Sequence, residues 1–315
     1  MATYTHGVII YESATPIIPP VVADSAVQVA IGTASVYLGA SENPLLPQVA
    51  NSYDDTVNKL GYSTDVTNYK LCEVIKASFE VYNVAPVIFI NVLDPKSHVK
   101  SVTTVTADMV EKLAVVEEEG ILLDSVTVKN EDGTTTYEAE QDYILAFKDG
   151  YLVIDANIDG SAITAEAQTL TLSYKQLDPS KVNKSDILAG IQKISQVYPR
   201  FNITPGLLLC PGWSDEPEIY MALTAKTVNL NGMFRCMVLA DISTQDAPTY
   251  DKVNEEKNRN GTTNIHSIAM WPMCTIGDTV YHMSAVAGAH IAFVDYQNEN
   301  VPYVSPSNKE FKIYG

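Results

Sequence analysis

Two short, nearly continuous apolar runs constrain this chain most: residues 87–92 (VIFINV) and residues 206–210 (GLLLC). A strand with one wet face alternates apolar and polar residues. A run of this length with almost no polar position fits a strand covered on both faces, as in a parallel sheet. Helical patterns sit beside these runs. Residues 68–82 place Leu71, Ile75, Phe79 and Tyr82 on one face, and residues 184–198 do the same with Ile187, Ile191, Ile194 and Tyr198. Residues 52–60 read as a short helix stopped by Gly61, and residues 216–230 as another helix. Val27, Val29 and Ile31 alternate, so residues 26–34 read as a half-buried strand; residues 234–240 and 266–273 complete the set. Strands alternating with helices predict an α/β (α+β) core with parallel βαβ elements.

Between these parts the composition changes. From residue 97 to 178 the chain is rich in Thr, Val, Tyr and turn residues. Candidate strands cover 101–106, 125–129, 134–139, 143–147, 151–154 and 169–174. Asp132-Gly133 and Asp149-Gly150 are hairpin signals, because glycine takes positive φ at little cost. Residues 109–119 read as the one helix of this block, with Glu117, Glu118 and Glu119 as its solvated end. The expected organisation is an extended arm (1–22), a discontinuous α/β core (23–96 and 179–315) and an inserted, small all-β, barrel-like domain (97–178). Within the arm, residues 7–12 read as a strand. Pro16, Pro19 and Pro20 make its exit stiff, so it is suited to pairing with another subunit's sheet edge.

Thirty-eight acidic against 20 basic residues give a formal charge of −18, which repels phosphate backbones and anionic bilayers. Neither nucleic acid nor membrane is an expected partner. Cys72, Cys210, Cys236 and Cys274 are widely spaced, which reads as free thiols in a reducing compartment. The first residues, MATYTHGVII, lack a basic region and a long apolar stretch, so no signal peptide is visible and the expected setting is a cytoplasm.

The most enzyme-like stretch is residues 211–216 (PGWSDE), after an apolar run. Ligands of open α/β sheets bind there. Ser214 with Asp241 and either His266 or His290 would make a nucleophile set, the basis of an alternative, hydrolase-like reading. No GxSxG elbow surrounds Ser214. Asp215 or Ser214 as a helix cap, with Glu218 closing a capping box, explains the same residues more simply. There is no Walker A motif, no GxGxxG after a strand and no HExxH. His282 and His290, eight apart, read as packed or exposed side chains. Gly288 reads as a point of close helix packing. No catalytic, cofactor or metal site is expected.

One segment carries more specific information. Residues 284–309, SAVAGAHIAFVDYQNENVPYVSPSNK, are a small-residue helix followed by a proline-punctuated extended stretch. This resembles phage contractile-tail sheath proteins, including prophage and related injection devices, at Ala287, Gly288, Ala292, Asp295, Pro302, Pro306, Ser307 and Asn308. Gly7-Val8 through Pro20, residues 71–92, LLLCPGWSD (207–215), FRCMVLAD (234–241) and DYILAF with DGYLVI are similar to further family segments in the same order. The resemblance implies a non-enzymatic structural protein. It would form hexameric rings stacked as a helix around a tail tube, and contract to drive the tube through the target envelope during genome ejection. It implies partners in other copies of the chain, the tail tube protein, and baseplate and tail terminator proteins. It implies a place in the virion tail after assembly in the host cytoplasm. The subunit interface would include Val8, Ile9, Ile10, Tyr11, Ala287, Gly288, Asp295, Pro306, Ser307 and Asn308. Another tail component, such as a baseplate protein, is the related alternative.

Overall fold

The computed structural model describes residues 20–313. The expected strand over 7–12, with Val8, Ile9, Ile10 and Tyr11, lies outside the described residues. The first part of the chain forms β1 (Val21–Val22), β2 (Gln28–Gly32), β3 (Gln48–Ala50), α1 (Tyr53–Leu60), α2 (Leu71–Ile75), β4 (Val84–Ala85) and β5 (Val87–Asn91). Helix α1 is bounded as expected. Ser52 Oγ accepts from the Asp55 N–H, and Gly61 ends the helix at φ 72°, where a Cβ would lie 2.1 Å from the Ser35 carbonyl oxygen. The helix expected over 68–82 begins later, at Leu71. It widens into a π-helix over Lys76–Val81, and the Tyr82 N–H bonds back to the Ala77 carbonyl.

The middle of the chain forms β6 (Val99–Val110), β7 (Leu113–Val116), β8 (Thr127–Asn130), β9 (Ile144–Lys148), β10 (Tyr151–Asp155) and β11 (Gln168–Leu177). They make one antiparallel sheet in the order β8-β11-β6-β7-β10-β9. Its outer strands, β8 and β9, are not paired with each other, so this sheet is open. Residues 134–139 make only isolated bridges. The helix expected over 109–119 is a hairpin instead. Glu111 and Lys112 turn at φ 52° and 61°, and burial alternates through Leu113–Val116 so that Ala114 and Val116 face the core. The apolar residues fit either period, and pairing with β10 decides for the strand. Glu119 is therefore no solvated helix end. Its carboxylate accepts from Ser63 Oγ (2.7 Å) and the Tyr37 hydroxyl (3.3 Å).

The remainder forms α3 (Lys184–Gln192), α4 (Val197–Phe201), β12 (Leu207–Leu209), α5 (Pro217–Thr224), β13 (Met237–Asp241), α6 (Tyr250–Arg259), β14 (Ser267–Met270), β15 (Cys274–Ile276), β16 (Thr279–Tyr281) and α7 (Met283–Gln297). A 3₁₀ turn over Lys193–Gln196 separates α3 from α4, where one helix was expected. The second six-stranded sheet runs β14-β13-β12-β2-β5-β3, parallel except for β3 against β5. Central β2 is buried along its whole length, not half-buried, because helices cover both faces. Helix α6 has no apolar stripe in its sequence, YDKVNEEKNR, and was not anticipated.

Two apolar clusters result. The larger unites β2, β5, β12 and β13 with α2, α3, α5 and α7. The smaller lies on one face of the antiparallel sheet, around Met109, Val128, Leu152, Ile154, Leu170 and Leu172. Phe147 borders both, and its ring meets Tyr37 edge-on at 5.3 Å. The fold is thus a mixed α/β arrangement with several sheets.

Candidate functional site

A cluster of buried polar groups lies where β12 and β13 end and α7 begins. Asp241, the last residue of β13, is 5% exposed. Its Oδ1 accepts from the Ser284 N–H (2.9 Å), and its Oδ2 accepts from Ser284 Oγ (2.5 Å) and Ser214 Oγ (3.2 Å). The Asp241 N–H in turn donates to Ser214 Oγ at 2.9 Å. Burial raises the Asp241 carboxyl to about 6, against the opposing influence of His282 and Ser284.

A second carboxylate meets the same helix end. Glu73 of α2 is fully buried and accepts both the His282 N–H (2.7 Å) and His282 Nδ1 (2.9 Å). Lys70 Nζ lies 3.5 Å from the same carboxylate. Burial alone would lower the proton affinity of His282. The hydrogen bond and charge of Glu73, with the charge of Asp241, outweigh it, so its pKa is raised. Two carboxylates thus grip the first-turn N–H groups of α7, which have no partner inside the helix, and the positive end of the helix dipole favours them there.

Beside this cluster lies a cavity of about 330 Å³, bordered by Lys70, Gly212, Asp215, Asp241, His282 and Met283. Its position beyond the carboxyl ends of parallel strands is where open α/β sheets bind ligands. The charged groups at its wall are largely spent on each other, and the arrangement fixes α7 to β13 and α2. Ser214 offers no nucleophile: it is fully buried, and its oxygen is held by Asp241 on two sides. Neither His266 nor His290 approaches it as a hydrogen-bond partner. The His266 carbonyl pairs β14 with β13, and the His290 ring bonds Pro306. Nor does Ser214 or Asp215 cap α5. The cap position is Glu216, with no side-chain bond, and Pro217 opens the helix where an N–H would be idle.

The rest of α7 is laid closely against the sheet. A Cβ on Gly288 would come within 2.6 Å of Gln28 Oε1 and 2.7 Å of Leu209 Cδ2, so the small residue sets the approach. Ala287 is 4% exposed within this chain's own core, and Asp295 accepts from Ser25 Oγ at 2.9 Å, tying the far end of α7 to the strand side. Pro306 is half-buried, whereas Ser307 and Asn308 are exposed. The cluster brings together Ser214 and Asp241, which the sequence had associated. It adds Glu73, Lys70, His282 and Ser284, which it had not. One signal was available: Glu73 interrupts an otherwise apolar stretch, LCEVI, at a buried helix position.

No protein-family model matches the chain. The geometry defines a mixed α/β protein in which Ser214 is buried and held by Asp241. Over 243 residues, 74% of this chain, the sequence is 26% identical to a tail sheath protein of Burkholderia phage BcepMu. The chain spans about half the length of this curated relative, 48%.

Proposed function

We propose that this chain is a structural subunit of a phage contractile tail sheath. The similarity to the BcepMu tail sheath protein over three quarters of the chain carries this reading, and supports a structural role in a phage tail. In the fuller reading, copies of the chain stack as hexameric rings in a helix around the tail tube. They meet baseplate and terminator proteins at its ends, and contract to push the tube through the envelope. The work would come from exchanging one intersubunit packing for another, with no nucleotide consumed. We assign residues 1–22 to an arm, 23–96 and 179–315 to a discontinuous core, and 97–178 to an inserted β domain. The arm residues Val8, Ile9, Ile10 and Tyr11 would pair with a neighbour's sheet, and the exposed Ser307 and Asn308 would lie at a subunit contact. Ala287, Gly288 and Asp295 would support that contact from within the subunit.

Immunogold electron microscopy of tail particles from the source tests this. Antibody against the chain should decorate the outer wall of extended and contracted tails along their length. Label confined to the baseplate would transfer the chain to another tail component. Contractile tails without label would overturn the reading.

A further inference from the structure

The segment 302–313, which follows α7, turns back and crosses the outer side of that helix. Glu299 and Asn300, at φ 61° and 60°, make the reversal. The segment is held at a few points. The Pro306 carbonyl accepts from His290 Nε2 at 3.3 Å. Phe311 stacks face to face on the His290 ring, with centroids 4.4 Å apart and planes 18° apart. The Lys312 N–H donates to the Tyr82 hydroxyl at 3.0 Å, and its ammonium sits 3.8 Å above the Phe293 ring. Between segment and helix a cavity of about 370 Å³ remains, bordered by His290, Phe293, Val294, Gln297, Lys309 and Phe311. The segment therefore spans the helix as a strap, and does not fill the space beneath it.

His290 is the centre of this contact and is built for one protonation state. A carbonyl oxygen only accepts, so Nε2 carries the proton and Nδ1 holds the lone pair. Nδ1 is buried and has no partner among the described residues. A second proton would create a buried donor with nothing to receive it, on a ring 3% exposed. The surrounding groups give little relief. Tyr82 of the π-helix end meets the ring edge-on at 5.6 Å. On the strap, Lys309 and Lys312 set two positive charges against the one carboxylate of Glu310. On α7 itself, Asp295 is engaged with Ser25. Lifting the strap would let water reach Nδ1 and separate the imidazolium from Lys312.

We propose that segment 302–313 is a proton-released strap: it lies closed on α7 while His290 is neutral, and opens when His290 takes a second proton, uncovering the surface formed by Tyr82, His290 and Phe293. Burial lowers the His290 pKa in the closed state, with the Pro306 bond opposing, which agrees with this geometry. A group of this kind holds the strap fully above its ordinary pKa of 6.5 and loses hold as pH falls below it. The device belongs to the single chain and does not require the sheath reading.

Hydrogen exchange of the full chain, read as protection factors so that the chemical effect of pH divides out, tests it. Near-UV circular dichroism at both pH values monitors the fold. Protection across 302–313 should fall up to about tenfold between about pH 7.5 and about pH 5.5, while β12 and β13 keep theirs. His290→Phe keeps the stack and removes the titration, so its strap should be equally protected at both pH values. Phe311→Ala leaves His290 in place and should open the strap at both, with trypsin cutting after Lys309 and Lys312. Strap protection that does not change with pH in the wild type overturns the proposal. So does a pH effect that survives in His290→Phe, which would move the cause to Glu310 or Asp295. Protection unchanged in Phe311→Ala would overturn the strap itself.

Discussion

His282 at the N-cap of α7 is half-buried and His290 two turns further on is buried, and they are held in opposite ways. His282 faces the Glu73 carboxylate at 2.9 Å, with Asp241 close by, and its pKa is raised because these charges outweigh burial. His290 faces a carbonyl and two aromatic rings, and its pKa is lowered because burial goes unopposed by any comparable charge. The signs follow. A histidine with a raised pKa contributes stability that is full below 6.5 and lost as pH rises through its folded value. One with a lowered pKa contributes stability that is full above 6.5 and lost as pH falls. Asp241 acts in the same direction as His282. The cost of its buried charge is absent below the ordinary 3.8 and complete above about 6. Protons therefore tighten the start of α7 and loosen the strap across its later turns. Burial alone does not decide the charge of a histidine; the partner does.

The sharpest way to break this contrast is Glu73→Ala. It leaves the His282 N–H and ring nitrogen without their acceptor in a buried site, and should cost about 3–5 kcal/mol in denaturant unfolding. A loss under about 1 kcal/mol would mean that water already shares the site. Asp241→Asn comes next. Asparagine retains an oxygen for the Ser284 N–H but cannot ionise. From pH 4 to 7 the wild type should lose about 2 kcal/mol relative to this variant, most of the roughly 3 kcal/mol equivalent to raising one carboxyl from 3.8 to about 6. Parallel pH–stability curves for the two proteins would remove Asp241 from the account. Gly288→Ala lies between the two histidines. Alanine favours a helix by about 1 kcal/mol, but the close approach to Gln28 and Leu209 should turn this into a net loss of about 1 kcal/mol. Adding Gln28→Ala should recover part of it in a double-mutant cycle.

Much of the larger core was readable because β5 and β12 are almost wholly apolar runs, and helix α1 carries its stop at Gly61. Other elements were hidden for identifiable reasons. Around β7 the apolar spacing satisfies both periods, so only the partner strand β10 distinguishes hairpin from helix. Helix α6 is polar but for Tyr250 and Val253, and no apolar stripe announces a helix. Ser214 and Asp241 could be associated because each ends an apolar run. Glu73 is 209 residues from His282, and no local rule connects them. Likewise the strap depends on Phe311 reaching His290 and Lys312 reaching Tyr82 after a chain reversal, a contact set by left-handed residues at Glu299 and Asn300 rather than by any periodic pattern.

The smallest effect, and the finest test of the contrast, is expected at Lys312. Its ammonium lies over Phe293 on the same strap that Phe311 anchors to His290. Lys312→Gln removes an attraction worth about 0.5–1 kcal/mol, so strap protection at neutral pH should fall by roughly two- to fivefold. Lys312→Arg should keep most of it. In acid the balance changes, because the ammonium on the strap then lies near a protonated His290 on α7 and repels it. The difference between wild type and Lys312→Gln should therefore shrink as pH falls below 6.5. At Lys70, beside the raised histidine, the corresponding exchange to Gln should show no such crossing. There Lys70 Nζ and the His282 ring share the Glu73 carboxylate, which stands between them as a common partner. A shrinking difference at Lys312 and a constant one at Lys70 would show that the two histidines respond oppositely to protonation. A constant difference at both would place a compensating anion near His290, with Glu310 the first residue to replace.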